Sequence, residues 1–315
     1  MDLDTARGLK QELLSFTDQI RIPTRDGADV LAPELAIGFA PTGRRGDVHI
    51  AVRAESEEDL PQSVIDELSR RTKAQIDIRY TGEITPLVAS HVAPVAGPLE
   101  PGASIAHYRC GVGSLGFFAR RASDDAIGIV SNNHVIAATD QGEDHDEIFH
   151  ARSMSTRDVI AHLCGKYPRL GASSTTLDCA FAPLVRGRTF NAAPGGHRLA
   201  RRMAAPTTEL MSVSKIGRTT GQTYGRVTAF ELDKVRVTYP SGRIVFSRQI
   251  EIAPETGEPF SRPGDSGALV FTYPDRQPLG LIFGGSLRGG TTGLGLTFAN
   301  PIRSVLDALG VKLVR

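Results

Sequence analysis

A serine flanked by glycines is the part of the sequence with the clearest capacity for chemistry. It lies in the tetrapeptide Gly264-Asp265-Ser266-Gly267. A serine hydroxyl becomes an effective nucleophile when a neighbouring base accepts its proton. Glycines on both sides let the backbone turn tightly, and each backbone N–H aimed at a developing oxyanion stabilises it by roughly 3–4 kcal/mol. Because Gly, Asp and Ser also build ordinary turns, the tetrapeptide alone does not identify a catalytic site.

A histidine and an aspartate elsewhere in the chain supply the two other groups that such a serine needs. His134 follows the apolar run 127–130, and Asp178 precedes the apolar run 180–182. Burying a carboxylate is costly unless a partner pairs with it. A histidine N–H is one such partner, and the contact would fix the tautomer that accepts a serine proton. A lone histidine is more often structural. The three residues together, in the chain order His, Asp, Ser, predict a catalytic triad.

Short apolar runs recur between turns in the part of the chain that holds these residues. The composition, 40% apolar and 23% charged with 33 glycines, is that of a folded protein, and closely spaced short strands are typical of antiparallel barrels or a sandwich. Near the C-terminus, Ile302, Val305, Leu306 and Leu309 are spaced for one helix face. The sequence therefore predicts a mainly β fold with a C-terminal helix. The candidate strands are 116–119, 127–130, 180–182, 235–239, 244–246, 268–271 and 279–283.

The first part of the chain has a different pattern. Residues 1–19 place leucines at helical spacing, and a second helix candidate lies at 60–68. A Pro- and Gly-rich stretch at 92–102 is typical of an extended linker. We therefore expect two domains, a small N-terminal α/β unit at 1–95 and the β domain at 96–315. The strand candidates of the α/β unit are 35–39, 48–52 and 76–80.

Charge, cysteine content and hydropathy restrict the function classes. The formal net charge of +1 gives no electrostatic reason to expect binding to nucleic acid or an anionic membrane. No run approaches the roughly 18 apolar residues of a membrane span, and the first residues lack the pattern of a signal peptide. The three cysteines match no zinc spacing, and their odd number does not fit a secreted disulfide framework. We expect a cytoplasmic protein without cofactor or metal.

Three other features have both a functional and a structural interpretation. The segment 143–150 holds two histidines and four acids, but their spacing does not suit a helical metal site, and we expect a solvated acidic loop. Cys179 lies in an apolar run without a neighbouring base, so we expect a small buried hydrophobe. The segment 215–221 lacks the residue order of a phosphate-binding loop.

The order and local sequence of the motifs resemble the chymotrypsin-type serine peptidases. The segment Ser-Asn-Asn-His-Val at 131–135 closely resembles the histidine segment of the HtrA/Deg branch, and 298–302 is similar to the stretch that leads into the last helix of that branch. The resemblance extends to bacterial trypsin-like peptidases related to the plant narrow-leaf proteases, and it covers the chain from about residue 30 onward. The segments similar to that group are 113–116, 215–227, 264–270 and 280–286.

This resemblance implies two six-stranded antiparallel β-barrels with the active site in the crevice between them. His134 and Asp178 would come from the first barrel and Ser266 from the second. By that analogy His134 is the base, Asp178 orients it and Ser266 is the nucleophile. The backbone N–H groups of Gly264 and Ser266 would form the oxyanion hole.

The resemblance also implies a specificity pocket, with Phe260 near its floor. No acid occupies the floor position, and an apolar floor penalises an unpaired buried charge. We therefore expect a preference for apolar side chains over Arg or Lys. The residues placed in this pocket are Phe260, Phe283, Gly284, Gly285 and Gly295.

Two departures from the family pattern affect this interpretation. In secreted trypsins a newly cut N-terminal amine pairs with the Asp before the serine, but no such cleavage sequence precedes the first barrel here. Asp265 therefore needs another partner, such as a backbone amide or an arginine. The cysteine framework of secreted trypsins is also missing, and because few residues follow Leu309 we expect no peptide-binding PDZ module.

The expected function is hydrolysis of protein substrates by a regulated serine endopeptidase, through an acyl-enzyme on Ser266. One dedicated protein partner and a homo-oligomer are further expectations. The alternative belongs to another class: a catalytically silent or activator-dependent pseudoprotease, whose groove between the barrels binds peptides as a scaffold. The intact set of His134, Asp178 and Ser266 favours the enzyme.

Overall fold

The computed structural model describes residues 1–23, 29–31, 35–89, 99–153, 156–170 and 177–315, with only the backbone described for 21–23, 29–31, 151–153 and 156–157. Most of the expected linker at 92–102 lies outside these ranges. Among the described helices, none is both long enough and apolar enough to cross a membrane. The helices are α1 (Leu3–Thr17), α2 (Gln62–Arg71), α3 (Asn133–Ile136) and α4 (Ile302–Leu309), with a short 3-10 helix at Pro194–Gly196.

The described strands make the chain mainly β, as the sequence predicts. In chain order they are β1 (Arg21–Pro23), β2 (Asp29–Leu31), β3 (Ala36–Pro41), β4 (Val48–Ala54), β5 (Ile76–Tyr80), β6 (Thr85–Pro86), β7 (Ser104–His107), β8 (Val112–Ser114), β9 (Phe117–Arg121), β10 (Ile127–Ser131), β11 (Glu147–Ser153), β12 (Thr156–His162), β13 (Ala180–Pro183), β14 (Ser212–Gly217), β15 (Gly221–Asp233), β16 (Val235–Tyr239), β17 (Gly242–Phe246), β18 (Gln249–Pro254), β19 (Leu269–Thr272), β20 (Pro278–Gly285), β21 (Thr297–Pro301) and β22 (Val311–Leu313).

The N-terminal elements form the expected small α/β unit. β3 and β4 are antiparallel neighbours, and β5 runs parallel to β4 after a crossover through α2. Asp2 caps α1, since its carboxylate accepts the Thr5 backbone N–H at 2.9 Å. Leu13 of α1 and Leu68 of α2 are buried in one cluster with Ile50 of β4. Burial of these apolar helix faces against the sheet stabilises the unit.

The sheet of this unit continues into the second barrel. β3 pairs with β15, with Phe39 opposite Phe230. The guanidinium of Arg53, on β4, donates to both carboxylate oxygens of Glu251, on β18, at 2.6 and 2.9 Å, and both side chains are buried. Main-chain pairing and a buried ion pair therefore dock the α/β unit on the second barrel.

The strands from β7 to β13, together with β22, enclose the core of the first half of the β domain. They form two four-stranded sheets, in the orders β13-β10-β9-β22 and β12-β11-β7-β8. A bridge between Ala161 and Leu184 joins one edge of the two sheets. On the other side the chain passes almost directly from β8 into β9, the neighbour of the edge strand β22. Ile105, Phe118 and Ile148 of the two sheets belong to one buried cluster.

The second half of the β domain is a closed six-stranded antiparallel barrel. Its strand order is β14-β19-β20-β21-β18-β15, and β15 pairs back with β14 to close the ring. Val213, Ile252 and Ile282 point into its core cluster. This closed barrel confirms the predicted mainly β fold class.

The C-terminal helix and last strand connect the two halves. α4 ends at Leu309 and is capped by Gly310, which adopts the left-handed conformation (φ +62°) that glycine tolerates at a helix C-terminus. β22 then pairs with β9 of the first half. Val305 of α4, Phe181 of the first half and Leu269 of the second half belong to one buried cluster. This packing fixes how the two halves of the β domain lie against each other.

Candidate active site

The ends of two paired strands bring His134 and Asp178 together. β10 and β13 are antiparallel, with Ser131 opposite Ala180, so the residues just after β10 and just before β13 lie side by side. Nδ1 of His134 hydrogen-bonds to Oδ2 of Asp178, and the His134 backbone N–H donates to Oδ1 at 3.2 Å. With Nδ1 engaged, Nε2 is the ring nitrogen available for proton transfer.

Asp178 is fully buried and held by further hydrogen bonds from distant segments. The Tyr239 hydroxyl donates to its Oδ2 at 2.7 Å, its backbone N–H donates to Asn300 Oδ1 at 2.9 Å, and the Asn132 side chain donates to its carbonyl at 2.7 Å. Burial, and after it the negative charge of Asp178, raise the pKa of Tyr239 well above its ordinary value. The phenol therefore stays protonated and remains a donor. Sequence reasoning missed Tyr239, which it recognised only as the end of a strand.

The loop that carries Ser266 requires its glycines. Gly264 and Gly267 have φ angles of +104° and +91°, a region that other residues rarely adopt. A Cβ atom on Gly267 would also collide with the Ser131 hydroxyl and the Ser114 carbonyl. The glycines thus hold Ser266 in a tight turn against the first half of the β domain.

The Ser266 hydroxyl contacts another part of the chain instead of the histidine. Its Oγ accepts the backbone N–H of Leu87 at 3.0 Å and lies 3.4 Å from the Phe283 carbonyl. Nε2 of His134 is buried and has no hydrogen-bond partner among the described residues. His134 therefore hydrogen-bonds to Asp178, as expected, whereas the Ser266 hydroxyl hydrogen-bonds to the backbone of Leu87.

Two backbone N–H groups converge on one carbonyl oxygen beside Ser266. Gly264 N–H donates to the Leu87 carbonyl at 2.6 Å, and Ser266 N–H donates to the same oxygen at 3.3 Å. These are the two groups that the sequence assigned to an oxyanion hole. Here they hold a peptide carbonyl at the position where negative charge would develop in acyl transfer.

Asp265 has a buried lysine as its charged partner. Nζ of Lys215 lies 3.3 Å from Asp265 Oδ2, and both side chains are fully buried. The Thr220 hydroxyl and the backbone N–H groups of Thr219 and Arg262 also donate to this carboxylate, at 2.7, 3.0 and 3.0 Å. The backbone amides were expected, whereas Lys215 was not. Burial lowers the pKa of Lys215, and the charge of Asp265 counters that shift.

Two of the residues assigned to a specificity pocket, Phe260 and Gly285, lie near Leu87, and the other three have different neighbours. Phe260 belongs to the same buried cluster as the Leu87 side chain, and a Cβ atom on Gly285 would lie 3.2 Å from Leu87 Cδ1. The Phe283 ring instead packs against Phe246, with ring centroids 4.7 Å apart. Gly284 and Gly295 approach main-chain carbonyls, of Thr85 and Ser286 respectively.

The acidic segment 143–150 is only partly the solvated loop that we expected. His107 Nε2 hydrogen-bonds to Asp146 at 2.9 Å, Glu147 begins β11, and His150 is 2% exposed. In the part of the chain that the structure describes, no group of three or more His, Cys, Asp or Glu residues could hold a metal ion. Cys179 is fully buried, as expected.

Three solved structures of similar architecture are proteases by name. Thermobifida fusca Protease A has a TM-score of 0.48 and 20% sequence identity and covers 69% of this chain and 99% of its own. Cellulomonas bogoriensis chymotrypsin has a TM-score of 0.45 and 22% identity, covering 69% and 98%. The Nocardiopsis protease has a TM-score of 0.47 and 20% identity, covering 70% and 100%. No family model matches the chain, and no curated protein matches it. At these values the likeness by itself assigns no activity.

Proposed function

We propose that this chain is a hydrolase whose substrate is attacked by Ser266. More particularly, we propose a serine endopeptidase that cleaves protein chains after an apolar residue. The observation that carries the proposal is the Leu87 carbonyl, which accepts N–H groups from both Gly264 and Ser266 while the Ser266 hydroxyl contacts the same residue. A peptide bond thus already lies where such an enzyme would bind the bond it cuts.

The proposed reaction gives each of these groups a role. Ser266 Oγ attacks the substrate carbonyl carbon, and His134 accepts the hydroxyl proton at Nε2. The N–H groups of Gly264 and Ser266 stabilise the oxyanion, and Asp178 orients the imidazole through a hydrogen bond to Nδ1. His134 then gives the proton to the leaving amine, and water hydrolyses the acyl-enzyme by the reverse set of transfers.

Labelling with a fluorophosphonate probe tests the assignment of the nucleophile. Because the 84–89 segment occupies the site, the probe is applied both to the unaltered chain and to Leu87→Asp, which places an unpaired charge in the apolar pocket and weakens that occupancy. We expect adducts at Ser266 in both, forming faster in Leu87→Asp, and none in Ser266→Ala or His134→Ala. Ser123→Ala, which changes an exposed serine, serves as the control and should label like the unaltered chain.

A second candidate function is a peptide-binding scaffold without turnover. It is favoured by the absence, within the described ranges, of a hydrogen bond to His134 Nε2. A folded Leu87→Asp protein that fails to label at Ser266 would establish this candidate and contradict the endopeptidase. The cytoplasmic location, the dedicated protein partner and the homo-oligomer stay predictions from the sequence.

A further inference from the structure

The segment of residues 84–89 lies in the active-site groove as an extended strand. Within it β6 pairs antiparallel with the end of β20, with Thr85 opposite Gly285 and Pro86 opposite Gly284. An extended peptide that adds to an exposed strand edge in this way gains affinity from main-chain hydrogen bonds. The chain therefore binds part of itself in the manner of a peptide ligand.

Both halves of the β domain hold this segment, on either side of Leu87. On the N-terminal side, the Thr238 backbone N–H donates to the Ile84 carbonyl at 2.9 Å. On the C-terminal side, Ala89 and Val112 exchange two backbone hydrogen bonds of 3.1 and 2.9 Å. Hydrogen bonds on both sides of Leu87 therefore hold this residue beside Ser266.

Glycines lie where the backbone of the 84–89 segment comes close to the rest of the protein. A Cβ atom on Gly111 would collide with the Val88 side chain and lie 2.7 Å from the Ala89 carbonyl, and one on Gly284 would lie 3.2 Å from the Thr85 carbonyl. Glycine at these positions leaves room for another backbone.

The Leu87 side chain fills the apolar pocket. It is 1% exposed and shares a buried cluster with Phe260 and Val227. Burying a leucine side chain is favourable, so the contact both anchors the segment and matches the apolar preference that the resemblance implies. In this register the peptide bond that follows Leu87 is the one presented to Ser266.

We propose that the protein is its own substrate and cuts itself between Leu87 and Val88. The inference rests on the proposed endopeptidase function and names its first substrate. Ser266 Oγ bonds to the Leu87 carbonyl carbon, the bond from that carbon to the Val88 nitrogen breaks, and the hydroxyl proton passes through His134 to the new Val88 amine. Water then hydrolyses the Leu87 ester, which yields a Leu87 carboxylate and restores Ser266.

The released fragment 1–87 stays bound after the cut. Its strand β3 remains paired with β15, and Arg53 remains in the buried ion pair with Glu251. The Leu87 carboxylate is therefore retained near the N–H groups of Gly264 and Ser266, where it acts as a product inhibitor.

Intact-mass measurement and N-terminal sequencing of the incubated full-length protein test the proposal. We expect a new N-terminus at Val88, no cut in Ser266→Ala, and cleavage slowed at least about 100-fold in Leu87→Asp, because the apolar pocket disfavours a charge. Leu210→Asp, which changes an exposed leucine, is the matched control and should be cut like the unaltered chain. The first-order rate constant should not change on tenfold dilution, since the cut is intramolecular.

The outcomes separate this proposal from the one on which it rests. An uncut chain whose Leu87→Asp form labels at Ser266 overturns self-cleavage and leaves the endopeptidase standing. An uncut chain with no labelling in either form overturns both. A cut that persists in Ser266→Ala, or a rate that scales with protein concentration, shows that another molecule does the cutting and overturns self-cleavage.

Discussion

At the scale of single residues, Asp178 is the most heavily constrained group of the site. It contacts His134 through both carboxylate oxygens and accepts the Tyr239 hydroxyl. A buried carboxylate needs such donors to stay charged, and in the proposed endopeptidase a charged Asp178 would stabilise the imidazolium that forms during catalysis. In the proposed endopeptidase, Tyr239 is therefore a positioning residue that acts through Asp178.

Replacing Tyr239 by Phe should lower kcat/KM by about 10- to 100-fold, because a hydrogen bond to a charged group contributes roughly 1.5–3 kcal/mol. Steady-state hydrolysis of a peptide with Leu before the cut measures the effect. Tyr273→Phe, at a half-exposed tyrosine, is the control. Unchanged kcat/KM in a folded Tyr239→Phe protein would show that the hydroxyl is dispensable.

Lys215 supplies the positive charge that fixes the loop of Ser266. It faces Asp265, the residue between the two proposed oxyanion donors, Gly264 and Ser266. In this chain the charge on that aspartate is balanced by an internal side chain, so no newly cut N-terminus is needed to order the loop. The position of the Gly264 N–H then depends on whether Lys215 carries its proton.

Activity should consequently fall at alkaline pH. The charged form of Lys215 exists below its pKa and is lost above it, and burial lowers that pKa from the ordinary value of 10.5. Loss of activity should therefore begin at lower pH than the titration of an exposed lysine. Initial rates measured between about pH 7 and 11 should show this loss of activity.

A pair of variants tests whether Lys215 causes this loss of activity at alkaline pH. Lys215→Met should lose at least about 100-fold in activity at neutral pH, the scale of losing an oxyanion donor, and Lys312→Met, at an exposed position, should not. Full activity in Lys215→Met would contradict the assigned role.

At the scale of elements, glycines on strand edges make the groove deep enough for a second backbone. Gly111, just before β8, lies against Val88 and Ala89, and Gly284 of β20 lies against Thr85. Because a side chain at these positions would meet main-chain atoms of the 84–89 segment, these glycines control how tightly the segment binds.

Gly111→Ala should loosen the segment, since its Cβ atom would overlap Val88. We expect several-fold faster fluorophosphonate labelling of Ser266 and slower cleavage after Leu87. Gly8→Ala, where nothing lies within 4 Å of the added carbon, is the control for a harmless methyl. Slower labelling in Gly111→Ala would mean that the segment does not obstruct the probe.

A buried ion pair between Arg53 and Glu251 links β4 to β18. Arg53 and Glu251 are almost fully buried, and Arg53 also reaches Asp77 at 2.8 Å. Removing one partner of such a pair leaves an uncompensated charge in the interior. The ion pair therefore makes the docking of the α/β unit sensitive to single substitutions.

Arg53→Met should destabilise the protein by about 3–5 kcal/mol, seen as a lower urea midpoint of unfolding. The double change Arg53→Met with Glu251→Met should recover much of that loss, because no unpaired carboxylate remains. Arg243→Met, which breaks a more exposed pair with Glu55, should change stability by at most about 1 kcal/mol. Equal loss in the single and double variants would argue against the buried charge as the cause.

At the scale of the whole molecule, the sequence predicts features that depend on neighbouring residues and misses those that depend on contacts between distant segments. His134, Asp178 and Ser266 each follow or precede a recognisable strand or turn, so residue type and order were sufficient to propose them as a triad, and the structure pairs His134 with Asp178. Tyr239 and Lys215 reach the site only through the register of β16 and β14, which local periodicity does not specify. Leu87 gave no signal, because its role depends on the packing of the 84–89 segment between the two halves of the β domain.

The same reasoning applies to the fold. Helix and strand positions of the α/β unit follow from hydrophobic spacing, and the mainly β class follows from short apolar runs. The pairing of β3 with β15 joins residues about 190 positions apart, and no local pattern encodes such a contact. The α/β unit that the sequence suggested as separate thus shares a continuous sheet with the second barrel.

The short connection between this shared sheet and the groove has a kinetic consequence. Only residues 81–83 separate β5 from the 84–89 segment, so the segment competes with outside peptides as a tethered ligand. Tethered ligands on short linkers act at effective concentrations of roughly millimolar. In the proposed endopeptidase, the apparent KM of any external substrate should therefore be raised while kcat is unchanged. A partner that detaches β3 from β15 would lower that KM without touching a catalytic group.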